Sequence, residues 1–247
     1  MPLPRRRDEE RAFAAGSAPA HSAAQQRTGR LMAEFTICIG NKNYSSWSLR
    51  AWLPLKESGF AFDEVVLPLR EPGTADAILA HSPAGKVPVL RHGPLTIWDS
   101  LAIGEYLAEL SPGLLPTARE ARAVARAVIA EMHSGFVPLR QHLPMNMRAH
   151  RPDRVLTAEV QADIDRITQI WRDLRARFGN GQGGLLFGSF TLADAAYAPV
   201  VSRFRTYGIA LDPASQAYAD AVWALPSLQQ WLAAAEREPM VMPNNEV

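Results

Sequence analysis

The sequence predicts a mixed α/β domain followed by an all-helical domain. Over residues 34–110, short apolar runs bounded by turn residues alternate with helical segments in the order β-α-β-α-β-β-α. A stretch rich in proline and glycine then predicts a linker at 111–118. Over residues 119–247 the apolar positions recur at helical spacing only, which indicates a second domain built entirely from helices.

Apolar runs and turn residues define the elements of the first domain. Pro54 lies inside the first helix and predicts a kink, because proline lacks a backbone donor, and Gly59 ends that helix. A turn at His92-Gly93-Pro94 separates the last two strands. The pattern predicts strands at 35–39, 62–68, near 89 and at 95–98, and helices at 47–58, at 74–80 and from 99 onward.

Periodicity is clearest in the second domain. One long helix has a buried face formed by Val160, Ile164, Ile167, Trp171, Leu174 and Phe178, and the glycine-rich residues 179–184 end it. Thr191 and Asp194 have the spacing of a capping box, so Asp194 is expected to stabilise a helix start and not to take part in chemistry. A final amphipathic helix contains Leu225, Leu228, Trp231 and Leu232.

Composition and charge favour a soluble protein that acts on small molecules. The 247 residues are 47% hydrophobic and 21% charged, and the formal net charge is +1. Six arginines and three acids lie in the first 33 residues, which leaves 20 basic and 22 acidic residues in the remainder. With no basic stripe and no apolar run of about 20 residues, we expect neither a nucleic-acid partner nor a membrane partner.

Residues 1–33 differ from the rest of the chain. They show no hydrophobic periodicity, and we expect a disordered extension or a misassigned start, with Met32 as the alternative first residue. A targeting peptide is a weaker alternative, because acidic residues at 8–10 interrupt the arginine-rich segment.

The cysteine and histidine content indicates neither disulfides nor a metal site. Cys38 is the single cysteine and lies in a predicted strand, which excludes an internal disulfide and favours an unreactive core thiol in the cytoplasm. The histidines lack the spacing of metal ligands and are interpreted as surface or linker residues. We therefore expect no metal.

Three hydroxyls lie where the first strand turns into the first helix. Ser45, Ser46 and Ser48 follow the apolar run at 35–39 almost directly. Free backbone N–H groups and the helix dipole favour an anion at such a position, and hydroxyls can donate further hydrogen bonds to it. Simple helix capping is the alternative, because serine is a common N-cap.

The order of several motifs resembles the cytosolic glutathione S-transferase family over roughly residues 35–238. The motifs are the Val87-Pro88 step, the helix opening at Asp99-Ser100-Leu101-Ala102-Ile103 and the Thr191–Asp194 box. Ser45-Ser46-Trp47-Ser48 is most similar to the serine-type classes, in particular bacterial zeta-like members. The resemblance implies the glutathione transferase fold, a thioredoxin-like α/β N-terminal domain plus an all-α C-terminal domain. It also implies a cytoplasmic homodimer with a role in detoxification.

The resemblance implies that glutathione is the co-substrate and that its thiol is activated for attack on a small electrophile. Ser45 is the first choice for the residue that stabilises the thiolate, Ser46 is the close second, and Tyr44 is a third possibility. The resemblance implies that the following residues of the first domain bind glutathione: Tyr44, Trp47, Lys86, Val87, Pro88, Asp99 and Ser100.

The roles of these binding residues also follow from the family. Val87, before a cis Pro88, is expected to pair with the cysteinyl backbone, and Lys86 is expected to reach the glycyl carboxylate. Asp99 and Ser100 are expected to hold the γ-glutamyl end, although the family often has Glu or Gln in place of Asp99. A plain loop proline and a simple N-cap remain the alternatives.

The electrophile pocket is expected between the domains, with its candidates in the segment 140–148 and with Met145, Asn146 and Arg148 as lining residues; ordinary helix-end packing is the alternative. Two other functions stay open. One is a zeta-like isomerase of the maleylacetoacetate type, although Trp47 stands where the zeta pattern has cysteine. The other is a non-catalytic module that binds glutathione or a protein.

Overall fold

The first part of the chain is a four-stranded sheet with helices, seen in a computed structural model that describes residues 33–179, 181 and 183–246. The expected disordered extension at residues 1–33 lies, up to residue 32, outside the described residues, and so do residues 180, 182 and 247. The elements are β1 (Phe35–Gly40), α1 (Ser46–Glu57), β2 (Phe62–Leu67), α2 (Thr74–Leu79), β3 (Val89–His92), β4 (Leu95–Ile97) and α3 (Ser100–Leu110). This order confirms the predicted β-α-β-α-β-β-α pattern.

The sheet is mixed, with strand order β2-β1-β3-β4. Strand β1 runs parallel to β2 and antiparallel to β3, and β3 and β4 form the predicted hairpin. As an inner strand, β1 buries Phe35, Ile37 and Ile39 completely, which explains its near-continuous apolar sequence. Cys38 is also buried, and desolvation raises the pKa of its thiol to about 11, so this cysteine is unreactive at neutral pH.

The second part is helical. After a short 3₁₀ turn at Pro112–Leu114 come α4 (Arg119–Ser134), α5 (Val137–His142), α6 (Ala158–Phe178), α7 (Leu192–Thr206), α8 (Pro213–Trp223) and α9 (Pro226–Arg237). Trp171 of α6 forms the aromatic centre of this part, with ring contacts to Tyr197 and Phe204 of α7 and to Tyr218 of α8. No helix among the described residues is long and apolar enough to cross a membrane.

Helix α1 joins the two parts. It contacts β1 and α3 of the first part and α7 and α9 of the second part. Nine of its twelve residues are buried, so its apolar residues lie around most of its circumference and show no single hydrophobic stripe. The N-terminus of α1 therefore lies where the α/β part meets the helices.

The start of α7 is the predicted capping box. Thr191 is the N-cap, and its backbone N–H and its hydroxyl donate to Asp194 Oδ2 at 2.8 and 2.9 Å. The backbone N–H of Leu186 donates to Asp194 Oδ1 at 3.2 Å. Asp194 is fully buried, and desolvation outweighs these hydrogen bonds and raises the pKa of its carboxyl to about 6.

The raised pKa of Asp194 predicts that this residue makes stability depend on pH. Because the folded carboxyl has a pKa of about 6 against 3.8 for an ordinary aspartate, the folded state binds the proton more tightly. The stability contribution is complete below about pH 4 and is lost as pH rises through about 6, a change of about 3 kcal/mol. Asp194→Asn cannot ionise and should lack this change.

Urea unfolding of both proteins between pH 4 and pH 7 measures the difference in the free energy of unfolding. We expect the wild type to lose stability relative to Asp194→Asn as the pH rises to about 6. A difference that is constant across this range would contradict the assignment.

Candidate functional site

The loop between β1 and α1 presents the serine hydroxyls. Ser45 is the N-cap of α1, and its hydroxyl oxygen accepts from the Ser48 N–H at 3.4 Å. The Ser45 hydroxyl also donates to Ser48 Oγ at 2.7 Å, and Ser48 Oγ accepts from the Gly40 N–H at 3.0 Å. Through these two contacts the buried Ser48 supports both Ser45 and the end of β1. The Ser46 hydroxyl, in contrast, has no hydrogen-bond partner among the described residues.

Two open cavities meet at Trp47. We call the first the Pro88 groove: it measures about 370 Å³ and is lined by Trp47, Ala84, Lys86, Val87, Pro88, Trp98, Asp99, Ser100 and His133. The second is the Ser45 cleft, which also measures about 370 Å³. Both volumes fall in the range of small-molecule sites.

The Pro88 groove brings six of the sequence-predicted binding residues together. The Val87-Pro88 peptide bond is cis, as the sequence analysis expected. Lys86 is exposed at the groove and forms no ion pair with any described residue. Asp99 caps α3 by accepting from the Leu101 N–H at 2.9 Å, and the buried Ser100 begins that helix. Amino, amide and hydroxyl groups thus face one groove.

His133, which the sequence analysis interpreted as a surface or linker residue, lies in α4 and completes this groove from the helical part. Its Nε2 lies 3.2 Å from Asp99 Oδ2, and its ring meets the Trp47 ring at 5.1 Å between centroids. The residue lies near the C-terminus of α4, more than thirty positions from Asp99 in the sequence. No local pattern could have linked them.

The Ser45 cleft is lined by residues of both parts. Tyr44, Ser45, Ser46 and Trp47 form one wall. The other lining residues are Leu69, Arg70, Val137, Arg140, Gln141, Pro144, Met145, Arg203, Met242 and Asn245. Of the three residues predicted for the electrophile pocket, Met145 is in this lining.

Asn146 and Arg148 lie outside the lining of both cavities. The Asn146 amide is buried, accepts from Asn43 Nδ2 at 2.8 Å and donates to the Asn245 carbonyl at 3.2 Å. The Arg148 guanidinium donates to the Tyr44 hydroxyl at 2.9 Å and to the carbonyls of Glu238 and Met240 at 2.6 and 3.0 Å. Both residues therefore fix the walls of the site and do not face its interior.

A C-terminal strap, residues 238–246, crosses the loop before α1. The Glu238 carboxylate accepts from the backbone N–H groups of Lys42 and Asn43 at 2.7 and 3.0 Å. Near the end of the strap, the Tyr44 hydroxyl donates to the Glu246 carboxylate. The strap thus holds the loop from outside and contributes Met242 and Asn245 to the Ser45 cleft.

Two family models match the chain. Residues 44–110 match the model described as "Glutathione S-transferase, N-terminal domain", and residues 148–234 match "Glutathione S-transferase, C-terminal domain". Together the matches span more than half of the chain. The chain belongs to the glutathione S-transferase family. This confirms the fold class and the expectation of a glutathione transferase.

Individual relatives share only about a quarter of their aligned residues with this chain. The rat maleylacetoacetate isomerase is 27% identical over 175 residues, which cover 68% of this chain and 77% of the rat protein. A glutathione transferase homolog from Burkholderia, solved with bound glutathione, is 26% identical with a TM-score of 0.63, covering 83% of this chain and 99% of that one. The theta-class enzyme from Xanthomonas axonopodis pv. citri, also with glutathione bound, is 25% identical with a TM-score of 0.61, covering 81% and 98%.

The strap contacts predict that Glu238 controls the mobility of the loop before α1. Hydrogen bonds to a charged group contribute about 1.5–3 kcal/mol, so Glu238→Ala should speed amide exchange at Lys42 and Asn43 by roughly tenfold or more. Hydrogen–deuterium exchange of the loop peptide measures this effect. Glu236→Ala, an exposed carboxylate on α9, is the matched control and should leave the exchange unchanged.

Proposed function

We propose that this protein is a serine-type glutathione transferase. Glutathione binds in the Pro88 groove, its sulfur lies beside Ser45, and a small electrophile enters the Ser45 cleft. The observation that carries this proposal is the meeting of the two cavities at Trp47, directly beside Ser45 and Ser46 at the N-terminus of α1. The solved relatives with bound glutathione support its use as co-substrate.

The groove fits the tripeptide in one direction. The γ-glutamyl carboxylate suits the N-terminus of α3, where the Ser100 hydroxyl and free backbone N–H groups favour an anion. Asp99, beside them, can attract the α-amino group. Val87 can pair with the cysteinyl backbone, and Lys86 can meet the glycyl carboxylate as a mobile cation. This direction brings the cysteinyl sulfur toward Trp47 and Ser45.

Ser45 is the residue we assign to the sulfur, and Ser48 is its support. A hydroxyl rotates about its C–O bond, so the oxygens of Ser45 and Ser48, 2.7 Å apart, allow the hydrogen bond in either direction. If Ser48 donates to Ser45, the Ser45 proton is free for the thiolate. The Gly40 N–H then anchors Ser48 from behind. A relay of three donors can therefore stabilise the negative sulfur.

Activation and transfer follow ordinary thiol chemistry. A free thiol has a pKa near 8.5, and a hydrogen bond that stabilises the thiolate lowers it. The thiolate lone pair forms a carbon–sulfur bond at the electrophilic carbon. The displaced electron pair leaves with a leaving group or moves onto the acceptor, where it is protonated.

Two alternatives remain within the same site. A cis–trans isomerase of the maleylacetoacetate type would add the thiolate to a conjugated double bond, allow rotation and expel the thiolate again. The rat relative favours this reading, and Trp47 in place of the zeta-pattern cysteine weighs against it. The other alternative is a module that binds glutathione or a protein without catalysis. We further propose a cytoplasmic homodimer with a role in detoxification, as the family resemblance implies.

The assignment of Ser45 predicts how the thiol pKa of bound glutathione responds to substitution. Ser45→Ala should raise that pKa by about 1–2 units and lower turnover roughly 10- to 100-fold, because a hydrogen bond to a charged group is lost. Ultraviolet thiolate absorbance against pH measures the pKa, and conjugation of an aryl halide measures turnover. Ser46→Ala is the matched control.

An unchanged pKa in Ser45→Ala together with a raised pKa in Ser46→Ala would transfer the role to Ser46. Glutathione binding without any lowering of its thiol pKa in the wild type would favour the non-catalytic module.

The relay makes a separate prediction for Ser48, which faces neither cavity. Ser48→Ala should raise the thiol pKa of bound glutathione in the same direction as Ser45→Ala by a smaller amount, because Ser45 then has one donor fewer. Ser48→Thr keeps the hydroxyl and should largely restore the pKa. Equal pKa shifts in the Ala and Thr variants would show that packing, not the hydroxyl, is responsible.

A further inference from the structure

The Ser45 cleft has an unusual balance of charge. Arg70, Arg140 and Arg203 line it, and none of the described residues that line it is an aspartate or a glutamate. A cavity for neutral electrophiles would be mainly apolar with a few polar groups. Three arginines that line one cavity favour a ligand with negative charge.

Hydrogen bonds hold the Arg203 guanidinium in place but do not neutralise its positive charge. It is buried, its Nε donates to the Leu143 carbonyl at 2.8 Å, and one terminal nitrogen donates to the Pro199 carbonyl at 3.1 Å. Both partners are neutral backbone groups, so the hydrogen bonds fix the guanidinium but leave its charge. Burial and the nearby Arg140 lower the pKa of Arg203 to about 10.

Arg140 comes from α5 and lies over the Trp47 ring at 5.3 Å. Its hydrogen bond is to the His133 carbonyl at 3.4 Å. The acid that attracts it, Asp163, forms no ion pair with it within 4 Å and instead accepts from the Leu139 N–H at 3.0 Å. Burial outweighs that attraction and lowers the pKa of Arg140.

Arg50 adds a second buried cation, next to Arg203, close to Trp47. Its guanidinium lies 4.7 Å from the Trp47 ring, on α1, and its three nitrogens are buried with no hydrogen-bond partner among the described residues. Burial, with the charges of Arg203 and Arg140, lowers its pKa to about 9. Positive charge therefore accumulates around Trp47, at the junction of the two cavities.

We propose that the second substrate is an anionic electrophile, most simply one with a carboxylate, which Arg140 and Arg203 hold in the Ser45 cleft while its electrophilic carbon faces the sulfur. The inference rests on the proposed function, because it concerns the second substrate of the same site. Arginine suits the role since its planar guanidinium matches a carboxylate with two parallel hydrogen bonds. A neutral analogue would leave the arginines unmatched and bind more weakly.

The same arginines assist the bond-forming step. When the thiolate attacks, negative charge moves from the sulfur onto the acceptor group of the electrophile. Fixed cations close to that position stabilise the developing charge without reorganising. In an aryl chloride, the sulfur lone pair forms the new carbon–sulfur bond, and the chloride leaves with the electron pair of the carbon–chlorine bond.

A matched pair of electrophiles tests the charge requirement. We would compare 4-chloro-3,5-dinitrobenzoate with its methyl ester, which has the same reacting carbon without the charge. Each kcat/KM is divided by the rate constant of the uncatalysed reaction with glutathione. The normalised value for the acid should exceed that for the ester by about tenfold or more.

Variants connect this preference to the cleft. Arg140→Gln should reduce the ratio of acid to ester about tenfold, and Arg140→Lys should retain part of it. Arg177→Gln removes an equal charge from an exposed ion pair with Glu120, outside the cleft, and should leave the ratio unchanged. Arg203 is less suitable for this test because it also holds two backbone carbonyls.

Calorimetric binding of the two glutathione conjugates, acid and ester, supplies a measurement independent of turnover. Tighter binding of the acid conjugate by the wild type, lost in Arg140→Gln, supports the inference. Equal binding of both conjugates, or an ester that is turned over as well as the acid, overturns it while the transferase function stands. Failure to bind glutathione or either conjugate would overturn the proposed function itself.

Discussion

The packing of α1 on nearly all sides is the constraint on which the site depends. Leu49, Leu53 and Leu55 are fully buried, and α1 touches the sheet, α3, α7 and α9. A helix packed at protein-interior density on several sides cannot rotate or slide by small amounts without opening voids. Its N-cap serine is therefore fixed at the boundary between the α/β part and the helical part, where both cavities open.

The loop before α1 is held by hydrogen bonds to residues far along the chain. Its backbone donors go to Glu238, and the Lys42 carbonyl accepts from the Trp231 indole N–H at 2.9 Å. Arg148 connects Tyr44 to the strap. Packing thus fixes the helix, and hydrogen bonds to the C-terminal segment fix the loop that leads into it.

Charge distinguishes the two cavities. The lining of the Pro88 groove contains both signs, Lys86 and Asp99, and this suits a ligand that has an amino group as well as carboxylates. The charged residues of the described lining of the Ser45 cleft are arginines alone. Because the cavities meet at Trp47, the positive field of the cleft also reaches the expected position of the sulfur, where it would favour a thiolate.

The sequence by itself determined what depends on local patterns. Apolar spacing and turn residues gave the order of elements through α3 and the long helix α6, with ends correct to within about two residues. Residue chemistry at fixed spacing predicted the Thr191–Asp194 capping box, and it offered helix capping as the alternative role of the serine hydroxyls, which the structure shows for Ser45. The tertiary structure alone decided which distant side chains share a cavity: His133 joins Asp99, Arg203 joins Arg140 in the lining of the cleft, and Arg148 turns to the strap. These contacts between distant residues depend on how the helices pack against one another. Hydrophobic periodicity indicates only which face of each helix is buried, so it does not predict them.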